Sequence, residues 1–196
     1  RQGALGQGSR SYPMRELKKA LRRELIERRR AMNKVEKTAA DEDIFRQLKP
    51  LIDKASAVFT YASTDIEVDT RRVIAYCLGK GIPVALPVSG DTELSFFYIN
   101  SVSELKKGRF GIDEPPMNNP AFADENTLCI VPALCADGEG LRLGYGRGYY
   151  DRFLSAHDCL KIGIAFDCQC AEGIETESFD IPLDILVTEK RIITRE

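Results

Sequence analysis

LCIVPALCADGEGLRLGYGRGYYDRFLSAH, residues 128–157, changes character twice along its length. LCIVPALC (128–135) is an unbroken apolar run, the pattern of a strand buried on both faces. Glycines at 144, 146 and 148 then alternate with Tyr145 and Arg147. Beyond them a helix is predicted from Tyr149 to His157. A strand that runs through a glycine loop into a helix is the repeating unit of an open α/β sheet.

The rest of the chain repeats the alternation. From Arg15 to Met32 the pattern is helical, with Leu17, Leu21 and Leu25 at i, i+4 and with Ala20 and Ile26 widening the apolar stripe. A second helix is expected over Val35–Leu48, ending near Pro50. AVFTYA (57–62) reads as a buried strand. Asp69 or Thr70 caps a helix through VIAYCLGKG, with Gly79 or Gly81 as its stop. IPVALPV (82–88) and ELSFFYI (93–99) read as strands, and Ser101 with Glu104 forms a capping box for a short helix. KIGIAF (161–166) and DILVTE (184–189) complete the strands. The expected fold is α/β: a single-domain three-layer α/β/α arrangement with a largely parallel central sheet. Residues 1–13, RQGALGQGSRSYP, lack periodicity and read as an artificial or disordered leader before Met14, with 14–196 as the one domain.

Composition excludes several classes. Lys and Arg number 28 against 30 Asp and Glu, for a net charge of -2, so bulk charge does not hold nucleic acid. No apolar run reaches the roughly 18–20 residues that span a bilayer. The six cysteines fall mostly in strand-like runs, which suggests reduced, buried thiols in a cytoplasmic setting. Cys168 and Cys170 with a single His157 do not make a zinc set.

Ligands of open α/β sheets bind beyond the carboxyl ends of the strands, often at helix N-termini. Glycines there let backbone N–H groups approach an anion, and the helix dipole favours negative charge. Arg142 and Arg147 add donors suited to phosphate, and Asp151 is a candidate magnesium ligand. The spacing is G-x-G-x-G, neither a P-loop nor a dinucleotide fingerprint. Read from the residues alone, a phosphate site and a solvated glycine loop both stand.

RLGYGRGYYDRFL (142–154) closely resembles the signature R-L-G-x-G-x-G-Y-Y-D of the 5-formyltetrahydrofolate cyclo-ligase family. KKALR (18–22), EVDT (67–70), GIDEP (111–115) and FDIPLD (179–184) resemble other family segments in the same order. The resemblance implies an ATP- and magnesium-dependent conversion of 5-formyltetrahydrofolate to 5,10-methenyltetrahydrofolate, releasing ADP and phosphate. It places ATP on Lys18, Lys19, Arg22 and the loop Arg142, Leu143, Gly144, Tyr145, Gly146, Arg147, Gly148, Tyr149 and Tyr150. It places the folate against Ala62, Glu67 and Phe110, with Tyr145, Gly146, Arg147, Gly148 and Tyr149 shared, and Leu94 as a further lining residue. Phe110 is either a ring that stacks on the folate or core packing. Asp151 and Asp180 resemble the magnesium ligands, and Arg142, Tyr149 and Asp151 carry the catalytic part. Arg28, Arg29 and Arg30 are expected at the surface. The implied partners are the reduced formyl folate and ATP, on a monomer with no nucleic acid and no membrane. The alternative reading is a nucleotide-responsive nucleic-acid-binding module that uses the basic N-terminal helix.

Overall fold

The structure, a computed structural model, describes residues 14–171, 173–174 and 177–195. The expected leader over 1–13 lies outside the described residues. Helices α1 (Met14–Arg30) and α2 (Lys34–Ile52) lead into strand β1 (Ala57–Phe59), helix α3 (Arg71–Lys80), β2 (Val84–Ser89) and β3 (Leu94–Ile99). Short strands β4 (Lys106–Lys107), β5 (Asp113–Glu114) and β6 (Pro120–Ala121) precede β7 (Thr127–Pro132). β8 (Cys135–Ala136), β9 (Arg142–Leu143), helix α4 (Tyr149–Ala156), β10 (Leu160–Ile164), β11 (Ile185–Val187) and β12 (Ile192–Thr194) follow.

One sheet orders its strands β12-β11-β10-β7-β1-β2-β3-β6. Its centre, from β11 to β2, is parallel, and both margins are antiparallel. The innermost strands are buried over Ala57–Phe59 and from Thr127 to Val131 because helices cover both faces. Side chains alternate along each strand. Val58 and Ile130 join α2 and α3 through Ile44, Leu48, Ile52, Ile74 and Cys77 on one face. Phe59 and Val131 join α4 through Phe153 and Leu154 on the other. The three-layer expectation therefore holds, and among the described residues no helix is long and apolar enough to cross a membrane.

Several local expectations need correction. α1 leaves Leu17 51% and Leu21 37% exposed; it packs through Leu25, against Leu134, Cys135 and Leu143. α2 runs through Pro50 to Ile52. Ile52 is fully buried, and the Asp53 N–H closes on Lys49 O at 2.9 Å, so the last turn survives the proline. The strand expected over 128–135 stops at Pro132; Cys135 and Ala136 pair instead with Leu143 and Arg142 in a separate hairpin. The Ser101 hydroxyl accepts from Ser103 N, and Glu104 reaches back to Asn100 N, so the capping pattern builds one 3₁₀ turn. Cys168 is exposed rather than buried.

Candidate functional site

β1 and β7 are parallel neighbours whose chains leave in opposite directions. After β1 the chain returns through α3 to β2; after β7 it returns through α4 to β10. This is the switch point of an open sheet, where the two departing loops part and leave a crevice. A cleft of about 780 Å³ lies there. A smaller cleft of about 320 Å³ adjoins it at Ala62, Thr64 and Ile112.

The loop after β7 is the glycine loop. Asp137 shapes its approach, since its carboxylate accepts from the N–H groups of Glu139 (3.1 Å), Leu141 (2.9 Å) and Ile174 (3.2 Å). The β8–β9 pairing then fixes Arg142. Its guanidinium crosses the loop to Asp151 on the first turn of α4, Nη2 to Oδ1 at 2.8 Å, and both side chains are largely buried. Gly146 and Gly148 stand at φ of 90° and 66°, in the left-handed region. A side chain at Gly146 would also press on the Arg22 guanidinium, whose Nε donates to Gly144 O at 2.8 Å. Gly148 is the N-cap of α4. The tyrosine and arginine after it tie the loop to the β2–β3 turn, where the Tyr149 hydroxyl donates to Gly90 O at 3.0 Å and Arg152 Nε to Thr92 O at 2.7 Å.

The loop after β1 carries Glu67. Ser63 and Thr70 tie its ends, each backbone N–H donating to the other's hydroxyl at 3.1 Å. Glu67 is 6% exposed. Its Oε2 accepts from Thr64 N (2.8 Å) and Thr64 Oγ1 (2.9 Å), and its Oε1 accepts from the Tyr145 hydroxyl at 2.7 Å. That bond joins the two loops across the cleft. Burial, and then the Glu67 charge, hold the Tyr145 phenol far above its ordinary pKa, so it stays a donor. Burial does the same to Tyr61 and Tyr150, which also line the cleft.

α1 closes the third side. Arg15, Lys18 and Arg22 border the cleft from one helical face, and Lys19 does not. Lys18 Nζ lies 3.1 Å from Glu177 Oε2 and 3.5 Å from Asp180 Oδ2. Burial lowers the Arg22 pKa, while Asp180 and Glu177 act against it. Phe110 is 53% exposed at the rim, which rules out the core-packing reading. The Arg147 guanidinium lies 4.3 Å over its ring. Leu94, Ala62 and Leu143 border the same space, and Leu143, 3% exposed, also packs in the small core under α1.

The carboxylates suit a hard cation in part. Asp151 Oδ1 accepts from Arg142 and from Ile181 N (3.1 Å), and Asp180 Oδ2 accepts from Glu177 N (2.9 Å). Among the described residues, Asp151 Oδ2 and Asp180 Oδ1 accept nothing, and no three acidic, histidine or cysteine groups converge. An all-protein cage is therefore not built there. Magnesium is usually held by one or two carboxylates with phosphate and water oxygens, and two partly free carboxylates on one cleft fit that use.

The family model described as the 5-formyltetrahydrofolate cyclo-ligase family matches residues 14–189. The chain belongs to that family. The 5-formyltetrahydrofolate cyclo-ligase of Haemophilus influenzae is 30% identical over 178 residues, which cover 85% of this chain and 95% of the relative. That of Escherichia coli is 34% identical over 151 residues, covering 73% and 83%. The NMR structure of the Aquifex aeolicus 5,10-methenyltetrahydrofolate synthetase superposes with a TM-score of 0.82 at 33% identity, covering 91% and 92%. This cyclo-ligase family member is thus an enzyme with the α/β fold of its relatives.

Of the positions singled out in the sequence, Lys19 is the one kept away from the cleft; it points outward from α1. The surface reading of Arg29 is overturned. Arg28 and Arg30 pair with Glu24 and Glu27 at the surface, but Arg29 is 4% exposed. Tyr61, Thr64 and Glu177 line the cleft as well and were not singled out. Glu177 lies in the stretch before FDIPLD, where no sequence pattern marks it as a partner of Lys18.

Proposed function

We propose that this chain converts 5-formyltetrahydrofolate and ATP to 5,10-methenyltetrahydrofolate, ADP and phosphate. The observation that carries this reading is the junction of two unlike loops at one switch point. One offers glycine amides, a helix N-terminus and Arg142; the other offers a buried carboxylate beside aromatic rings. The triphosphate lies along the glycine loop, with Lys18 and Arg22 contributing charge from α1. The folate lies opposite, with the Glu67 carboxylate accepting from its amino-pyrimidine edge and Phe110 against a ring.

An N-formyl oxygen is a poor leaving group. Transfer of the γ-phosphoryl group to that oxygen breaks the bond to ADP and leaves an activated, iminium-like carbon. N10 of the same folate attacks this carbon and loses its proton, the five-membered ring closes, and the C–O bond breaks as phosphate departs. Phosphoryl transfer of this kind is governed by positioning and charge. Arg142 lies against the reacting phosphate, Tyr149 holds the loop to the β2–β3 turn, and Asp151 orients Arg142. Magnesium, when bound by Asp151 and Asp180, would neutralise phosphate charge.

The nucleic-acid alternative is the weaker one on α1, where Lys18, Arg22 and Arg29 turn inward and Arg28 and Arg30 pair with Glu24 and Glu27. Ring closure creates a conjugated chromophore, so absorbance tests the proposal. The signal is expected only with formyl folate, ATP and magnesium together. Equal signal without ATP would overturn it.

A further inference from the structure

The run Arg28-Arg29-Arg30 divides in the folded chain. Arg28 Nη2 lies 2.6 Å from Glu24 Oε1 and Arg30 Nη1 2.7 Å from Glu27 Oε1, both at the surface. Arg29 passes inward from the same helix and is buried. Its Nε donates to Gln169 Oε1 at 2.6 Å, its Nη2 donates to Ala133 O, and its Nη1 donates to the Tyr145 hydroxyl at 3.2 Å. Gln169 is itself buried and donates through Nε2 to Leu25 O at 3.3 Å, one helical turn before Arg29. The guanidinium is therefore clamped on three sides.

No carboxylate lies within 4 Å of Arg29 among the described residues. A buried cation without a compensating anion is unfavourable. The nearest compensation in its hydrogen-bond network is Glu67, reached through one phenol: Arg29 donates to Tyr145, and Tyr145 donates to Glu67 Oε1. A phenol has one proton, which lies near the ring plane and can turn to either side of the C–O axis. With Arg29 occupying a lone pair, that proton is left for Glu67. A carboxylate offers about four acceptor positions. Tyr145 and the two Thr64 donors occupy three of them, so the position open to a ligand is set by where the Tyr145 proton points.

We infer that Arg29 is a positioning residue for the folate: through the Tyr145 hydroxyl it fixes the acceptor that Glu67 presents to the substrate. The inference rests on the proposed reading that Glu67 meets the folate. It assigns Arg29 a role on the folate half of the cleft, although Lys18 and Arg22 of the same helix serve the phosphate half.

A double-mutant cycle with direct binding measurements tests it. Dissociation constants for 5-formyltetrahydrofolate and for ATP are measured by titration on the wild-type chain, Arg29→Gln, Tyr145→Phe and the double variant, with melting temperatures alongside. Arg29→Gln should weaken folate binding about tenfold, the scale of one lost charge-assisted contact, and change ATP binding less than about twofold. In the Tyr145→Phe background the same substitution should bring no further folate loss, because the relay is already cut. If Arg29→Gln does not fold, Arg29→Lys is used; its ammonium keeps the charge and loses the fork, and the same non-additivity is expected. Equal folate losses in both backgrounds, or equal losses for ATP and folate, would overturn the inference alone. A wild-type chain that binds ATP but no formyl folate would overturn the underlying reading as well.

Discussion

Phe110 holds a left-handed backbone, φ 63°, that costs a non-glycine residue roughly 1–2 kcal/mol. Half its surface is exposed, so burial does not offset that strain. Its ring instead faces the cleft and carries the Arg147 guanidinium. Phe110→Gly relieves the strain, loses a cation–π contact of about 0.5–1 kcal/mol and frees the unfolded chain by a similar amount. Stability should thus move by less than about 1 kcal/mol while folate affinity falls roughly three- to tenfold, the worth of one aromatic stack. Thermal melts and folate titration check the two halves; unchanged folate affinity would return Phe110 to a rim residue. Asp151 has a double duty of another kind. It balances the buried Arg142 charge through Oδ1, borders the cleft, and leaves Oδ2 accepting nothing among the described residues. Asp151→Asn keeps an acceptor but no charge, so a stability loss of about 1–3 kcal/mol is expected. Turnover should fall much further than the folded fraction, above all at limiting magnesium. Near wild-type turnover there would remove Asp151 from the metal assignment.

α1 is the element that joins both halves of the site, and its usefulness depends on which face turns in. Lys18, Arg22, Leu25 and Arg29 follow one stripe, while Lys19 and the apolar Leu17 and Leu21 lie off it. Lys18→Ala and Arg22→Ala should each raise the apparent KM for ATP about tenfold, as expected for losing one charge-assisted contact, with a smaller effect on the folate. Lys19→Ala should leave both constants within about twofold. Steady-state kinetics with each substrate varied separates these outcomes, and an effect at Lys19 equal to that at Lys18 would mean a diffuse field rather than direct contacts. The helix shows what a sequence pattern conveys and what it hides. The i, i+4 spacing of Lys18 and Arg22 was legible because one turn is a local property. The leucine stripe misled because α1 buries only Leu25 of its three leucines and turns the stems of Lys18, Arg22 and Arg29 inward beside it. Arg29 was hidden inside a run of arginines, since Gln169, Ala133 and Tyr145, all more than a hundred residues away, distinguish it from its neighbours.

At the scale of the whole molecule, the strand–loop–helix at 128–157 announced the sheet, and the strands buried on both faces announced its two helical layers. Two-residue strands such as β4, β5 and β6 carry no periodicity to read, and the end of β7 at Pro132 is decided by the hairpin beyond it. What the sheet order adds is the reason two substrates can meet. The loops after β1 and β7 face each other across the switch point, and the Tyr145–Glu67 hydrogen bond spans them. On the proposed reading, a triphosphate on one loop and a formyl folate on the other would be held for direct transfer, with no required place for water between them. If the formyl oxygen is the phosphoryl acceptor, it must leave bound to phosphorus, because the methenyl carbon of the product carries no oxygen. Folate labelled with heavy oxygen in the formyl group should yield phosphate that carries the label, one atom per turnover. Hydrolysis of ATP coupled indirectly to ring closure would instead place solvent oxygen in the phosphate. Mass analysis of the released phosphate separates the two, and unlabelled phosphate alongside complete ring closure would refute direct transfer across the cleft.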